Sequence, residues 1–460
     1  MLSLNVLLLL IPLVFTESLI PTVKPRIHKD EQGRISFHIH DEPGNLIEVI
    51  VTTEVNRDVN IGKATLNKAS NEWDYSTSHY QQIDVDQLRY MISYIFNSAS
   101  IPQKTYQSTI QFNPGTAVQP APHPLSRRGT VVFHDDFSGH TLDKNKWYHE
   151  ITANGGGNGE FQVYTPEAAN TFIRNGVLYL KPTLTSDKFG ENFLQSGTLN
   201  LNAQWGSCTA SWENGCLRHG SQHNIPPIMS SKIYSKATIR HGRVDVVAQI
   251  PKGDWLWPAI WMLPKGTNWK YGGWPRSGEI DIMESRGNVQ LNSGGHPQGA
   301  AQVLSTIHLG TDAGGGHRQH GDAKLAPNGK TWADGFHTYS LDWTEDHIKM
   351  MIDNQPVLAW NTPSEGYFKH ENLAGSNIWA SGGKDAPYDT NFALLLNVAV
   401  GGDRGYFPDG WNNGANGAKP WKNYASTAMM DFWNHRQQWQ KTWHGDDVAM
   451  KIRSVTMTQY

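Results

Sequence analysis

Three carboxylates fall within six residues in the stretch Gly278-Glu279-Ile280-Asp281-Ile282-Met283-Glu284-Ser285. Carboxyl groups held close together with unequal proton affinities can do general acid–base and nucleophilic work. Ile-Asp-Ile alternates at period two behind a glycine, which reads as a strand. On a regular strand Glu279 and Asp281 share a face, whereas Glu284 falls on the other. A helix does no better, because a five-residue step rotates by about 140°. One extra residue near Ile282 or Met283, a β-bulge, returns Glu284 to the face of the other two. The expectation is therefore three acids on one bulged strand, facing a cleft. A solvated acidic strand is the ordinary alternative. Against it, Ile280 and Ile282 imply a packed opposite face, and Trp255, Trp257, Trp261, Trp269 and Trp274 crowd the preceding 25 residues.

Two carboxylates flanking a cleft are the minimum equipment for glycoside hydrolysis. In the retaining form one is ionised and attacks the anomeric carbon, while the other is protonated and donates to the leaving oxygen. A third acid nearby raises the proton affinity of its neighbours and helps to separate the two roles. Tryptophan supplies the second requirement, a flat surface for the apolar face of a pyranose with an N–H for its hydroxyls. Trp257 and Trp261 lie four apart on a strand and so share a face. Trp274 sits in a Gly-Gly-Trp-Pro-Arg loop and reads as a cleft aromatic. His308 could line the cleft from an adjacent strand, or be a structural histidine. Arg276 could hold a hydroxyl or steady a carboxylate, or be a solvated loop residue. This chemistry requires no cofactor, and no metal ligands can be assigned.

The elements that must position these residues can be read from the rest of the chain. At 460 residues two domains are expected. A net charge of −3 with 18% charged residues makes no electrostatic case for nucleic acid or an acidic membrane surface. Abundant Gly (44) and Pro (24), with few long helical periodicities, indicate an all-β chain with many turns. Seventeen of the 18 Trp follow residue 130, so the two parts do different work.

Residues 1–18 read as a secretory signal, since the apolar run Val6 to Ile11 is too short to span a bilayer. The expected location is extracellular, without a membrane span. Residues 19–112 read as a small immunoglobulin-like β-sandwich, with strands at Ile35 to Ile39, Leu46 to Thr52 and Tyr90 to Phe96. Its role is sugar or protein binding, or that of a spacer. Residues 113–129 form a Pro-rich linker ending near Arg127-Arg128, a pair that is a protease site or simply solvated. Residues 130–460 read as a β-sandwich or jelly roll. Trp257 to Pro264 is an apolar core strand whose prolines should mark its ends. Further strands are expected at Gln302 to Leu309, Phe392 to Val400 and Met450 to Met457. The two cysteines, Cys208 and Cys216, should pair in a secreted chain and pin one short loop.

Glu-Ile-Asp-Ile-Met-Glu is preceded by Trp-Pro-Ala-Ile-Trp-Met-Leu-Pro and followed by Asn397-Val-Ala-Val-Gly-Gly and Tyr406-Phe-Pro-Asp-Gly-Trp411. Together these motifs resemble the laminarinase branch of the family-16 glycoside hydrolases, within it the animal group of β-1,3-glucanases and β-1,3-glucan-binding (Gram-negative-binding) proteins. The resemblance runs over residues 130–460. Residues 19–112 are more weakly similar to a family-39 carbohydrate-binding module. The resemblance implies a β-jelly roll whose concave face binds β-1,3-glucan. It implies Glu279 as nucleophile, Glu284 as acid/base, Asp281 as the assisting acid, Asn158 as a sugar contact and Trp274 as a donor-side aromatic. Three positions depart from the pattern. Gly159 stands where many relatives have a second Asn, Val247 where many have Arg, and Tyr90 to Phe96 lacks the module's usual Trp. Trp73 is then the module's best aromatic candidate.

The resemblance implies two functions. One is a secreted retaining endo-β-1,3-glucanase. The other is a non-catalytic β-1,3-glucan recognition protein of innate immunity. Retention of all three acids favours the enzyme, because a sugar-binding domain has no chemical need for the set.

Overall fold

The computed structural model describes eight strands between residues 26 and 111, and then residues 129–266 and 269–460. The signal-like segment 1–18 and nearly all of the linker 113–129 lie outside the described residues. The chain divides into two compact units, Met1–Arg127 and Arg128–Tyr460.

The first unit holds two four-stranded antiparallel sheets. One runs Arg26–Lys29, Ile35–His40, Glu72–Thr77, Thr65–Asn67; the other runs Asp58–Lys63, Leu46–Val55, Gln87–Phe96, Lys104–Gln111. Ile35, Phe37 and Ile39 alternate inward on Ile35–His40 and are buried. Trp73 is only 7% exposed. That burial makes the module's best aromatic candidate a packing residue.

The second unit is a β-sandwich. One sheet has seven strands in the order Trp147–His149, Lys232–Ile239, Phe392–Val400, Leu256–Pro264, Glu279–Ser285, Gln302–Gly310, His317–Leu325. The other is built around Met450–Gln459, Gly242–Gln249, His337–Trp343 and His347–Ile352. Val244, Val246 and Leu341 of the second sheet join Ile260, Ile280 and Leu394 of the first in one buried apolar cluster. Strict alternation builds this layer on Gly242–Gln249, where every second residue is buried. Phe392–Val400 is buried at all nine positions, as a nearly continuous apolar strand in mid-sheet should be.

One expectation fails in this sheet. Pro258 lies inside its strand, opposite Val398, rather than at its end. Pairing with the acid strand begins only at Ala259, so that ladder starts after the residue with no N–H to give.

Candidate active site

The acid strand Glu279–Ser285 lies between Leu256–Pro264 and Gln302–Gly310. Its ladders slip where the spacing demands. Asp281 faces Thr306 and Glu284 faces Leu304, so three steps on the acid strand match two on its neighbour. On the other side Asp281 faces Trp261 while Met283 faces Ile260, so two steps match one. Ile282 is the extra residue, and both it and Met283 are buried in the core. The bulge re-aims Glu284, and Glu279, Asp281 and Glu284 together line one cleft of about 1130 Å³.

The three carboxyls differ in their neighbours. Glu279 and Asp281 stand side by side in the cleft. Their oxygens and a ring nitrogen of His308 lie within 4.8 Å of one another. Nε2 of His308 approaches Oδ2 of Asp281 to 2.9 Å, but that enclosed oxygen accepts no aligned hydrogen bond. Glu284 accepts a 2.7 Å bond from the indole N–H of Trp257. Burial raises all three pKa values, since each charge is taken from water. The negative charge of Asp281 lifts Glu279 further, and that of Glu284 lifts Asp281. At Glu284 the Trp257 N–H, His308 and Arg286 oppose the rise. Burial and the mutual repulsion of the carboxylates thus oppose ionising all three at once.

His308 is part of a longer arrangement. Its Nδ1 is 3.0 Å from Nε2 of His317, and the rings lie nearly parallel at 5.2 Å. Trp274 leans on His317 at 4.8 Å and is 40% exposed at the cleft. Burial and the charges of His308 and Arg318 hold His317 below the usual histidine pKa.

Trp257 and Trp261 both line the cleft, as their spacing requires, but their N–H groups are already engaged. Trp257 serves Glu284 and stacks on Tyr406 at 3.6 Å and 4°. Trp261 donates to Asn397 at 2.7 Å, and Lys232 sits 4.7 Å over its ring. They can offer a sugar their ring surfaces, not their donors. Asn158 lines the cleft with its amide turned to Glu160 at 3.3 Å.

Arg276 does not take the expected place. It is exposed, lies outside the cleft lining, and its carbonyl accepts from Trp379. The Trp274-Pro275-Arg276 turn presents the indole to the cleft and leaves the guanidinium outside. Of the two departures in this unit, Val247 is on the sheet that does not carry the acids. At Gly159 a Cβ would meet Asp403 Oδ1 at 1.9 Å, so the space of a larger residue is taken by that carboxylate.

Several cleft residues were not singled out from sequence: Tyr406, His317, Lys232, Tyr148, Tyr234 and Trp212. Tyr148 and Tyr234 stack at 4.9 Å, and Lys232 and Tyr234 both hold Glu150. Tyr406 stood inside a quoted motif, and its partner Trp257 was the signal that could have found it. The Cys208–Cys216 disulfide is formed and closes the loop that carries Trp212.

Residues 197–392 match the sequence model of glycosyl hydrolases family 16. A beta-1,3-glucan-binding protein of Penaeus monodon is 42% identical over 338 residues, covering 72% of this chain and 88% of the relative. Beta-1,3-glucan-binding protein 1 of Manduca sexta is 32% identical over 338 residues, covering 71% and 64%. A glucan endo-1,3-beta-glucosidase of Cryptopygus antarcticus is 32% identical over 280 residues, covering 58% and 79%. The relatives thus include proteins named for binding and a protein named for hydrolysis.

Proposed function

The chain belongs to glycosyl hydrolase family 16, and on that premise we propose that it is a retaining endo-β-1,3-glucanase. The observation that carries this reading is the bulge at Ile282, which brings Glu284 to the same cleft as Glu279 and Asp281. In the first step a Glu279 oxygen attacks the anomeric carbon, and the bond to the leaving sugar's oxygen breaks. Glu284 gives its proton to that oxygen. In the second step Glu284 takes a proton from water, whose oxygen attacks the anomeric carbon and releases Glu279. One water is consumed and no cofactor is needed.

The proton affinities bear on these roles. In the protein alone burial raises both Glu279 and Glu284, with Asp281 adding to the rise at Glu279 and the Trp257 N–H opposing it at Glu284. Positive charge developing at the anomeric carbon in front of Glu279 favours its ionised form. Asp281, beside Glu279 in the cleft, is the neighbouring carboxylate whose charge bears on it. The role assignment itself comes from the family motif.

A second reading, a non-catalytic β-1,3-glucan recognition protein, is favoured by the names of the Penaeus and Manduca relatives. Reducing-sugar release from laminarin by the wild type and by Glu279→Gln separates the two. The enzyme reading expects the substitution to remove at least about a thousandfold of activity, as loss of a nucleophile does. A wild type that binds laminarin but releases no more sugar than the variant sinks it. Lichenan and agarose run alongside define the linkage. Secretion belongs to the same proposal, supported by the signal-like N-terminus and by a disulfide of the kind that persists in oxidising compartments.

A further inference from the structure

We propose that the loop closed by Cys208 and Cys216 is a distal glucan subsite, with Trp212 as its stacking platform; the proposal rests on the glucan reading above. Among the described residues, two tryptophans are exposed large hydrophobics, Trp212 at 49% and Trp274 at 40%. Both line the cleft. A single exposed tryptophan is ordinary. This one is held out by a loop with little freedom to fold it away.

The disulfide ties the ends of the loop. Between them Thr209 N–H donates to Ile151 O at 2.9 Å, Ala153 N–H to Gly215 O at 2.8 Å, and Thr152 Oγ1 to Ala210 O at 2.7 Å. Glu213 and Asn214 have φ of 49° and 57°; asparagine tolerates that left-handed region, whereas the glutamate is held in it by its surroundings. Arg404 then fastens the loop to the glycine-rich turn, donating to Glu213 at 3.1 Å and to Gly157 O at 2.7 Å. The tip of the Trp212 ring would stand 4.0 Å from a Cβ at Gly157. With no side chain there, the indole reaches over the turn that presents Asn158. A rigid indole half in water costs little entropy to engage and loses unfavourable exposure when a sugar ring covers it.

Its position defines its use. Trp274 leans on His317, on the strand at one edge of the sheet. The Trp212 loop is bonded to residues 151–153, just beyond the strand Trp147–His149 at the other edge. The acid strand is fifth of seven counted from that edge. At about 4.8 Å per strand, the face extends about 19 Å from the acid strand to that edge and about 10 Å to the other; the Trp212 ring stands over the turn 155–159, whose Asn158 carbonyl accepts from the Asp403 and Arg404 N–H groups just past Phe392–Val400. Trp212 therefore stands on the longer arm of the face, where a longer chain continues away from the acids, so Trp212 discriminates long glucan from short.

The test measures binding in the Glu279→Gln protein, where turnover cannot blur it. Calorimetric affinities for laminarin and for laminaritriose are compared with and without Trp212→Ala. The expected result is a fall of about tenfold in the ratio of laminarin to laminaritriose affinity, with Trp212→Phe retaining most of it. An equal change in both affinities, or none in either, overturns the subsite. If the Glu279→Gln protein binds neither glucan, the subsite and the glucan reading fall together. If the wild type hydrolyses nothing but the affinity ratio falls as stated, the catalytic reading alone is lost.

Discussion

The indole N–H of Trp257 is the group that most clearly distinguishes Glu284 from its two companions. It donates to the carboxylate and so favours the ionised form, against burial. Trp257→Phe keeps a ring over Tyr406 and removes that donor. The pKa of Glu284 should then rise. Glu284 must be protonated to act first, so the alkaline limb of kcat/KM against pH should move up by about one unit. A limb that stays in place would mean that another group sets it. The same bond corrects the simplest reading of aromatic residues near acids. Trp257 and Trp261 were expected to offer N–H groups to sugar hydroxyls, and both spend them on protein acceptors instead. Buried N–H groups seek partners within the fold before a substrate arrives.

Two backbone devices shape the site at the next scale. The bulge at Ile282 adds one residue to one strand, and that shift moves Glu284 from the core face to the cleft. The glycine-rich turn 155–159 is the second device, with positive φ at Gly155, Gly156, Gly157 and Gly159. At Gly159 the angle alone would tolerate asparagine, yet a Cβ there lies 1.9 Å from Asp403 Oδ1. Gly159→Asn should therefore destabilise the protein by about 1–3 kcal/mol through overpacking. Asp403→Ala in the same chain should recover most of the loss, since the obstacle is gone. Thermal unfolding of both variants checks this; a single variant as stable as the wild type would show that Asp403 moves aside freely.

For the molecule as a whole, the acid response has contributions of opposite sign. His149, on the edge strand Trp147–His149, has an enclosed Nδ1 with no hydrogen-bond partner, and burial pushes its pKa down to about 4. The unfolded chain binds that proton near pH 6.5, with the folded protein following only near 4. Stability from this residue is complete above about 6.5 and drains away as pH falls toward 4. His149→Asn should flatten that part of a stability-against-pH curve measured by urea unfolding, and an unchanged slope would refute it. The three cleft acids act the other way. Their raised pKa values mean that their contribution is present at low pH and lost as pH rises through them. A site that must keep charges crowded and dry is maintained at the expense of neutral-pH stability.

Alternation and local spacing pointed to an all-β chain with its acids on a strand, and showed that the three acids could share a face only with a bulge near Ile282 or Met283. These follow from short-range geometry, a two-residue period and the faces it defines, so the acid constellation and most core strands were legible. Tertiary structure decided which groups each side chain meets. Glu284 and Trp257 are 27 residues apart, Trp261 and Asn397 are 136, and no local pattern encodes those bonds. It also turned Arg276 away from the cleft, buried Trp73, and brought Trp212 of the disulfide loop to the cleft lining. Side-chain type limits the chemistry available, whereas burial and partners are set by segments that meet only once the sheet has formed.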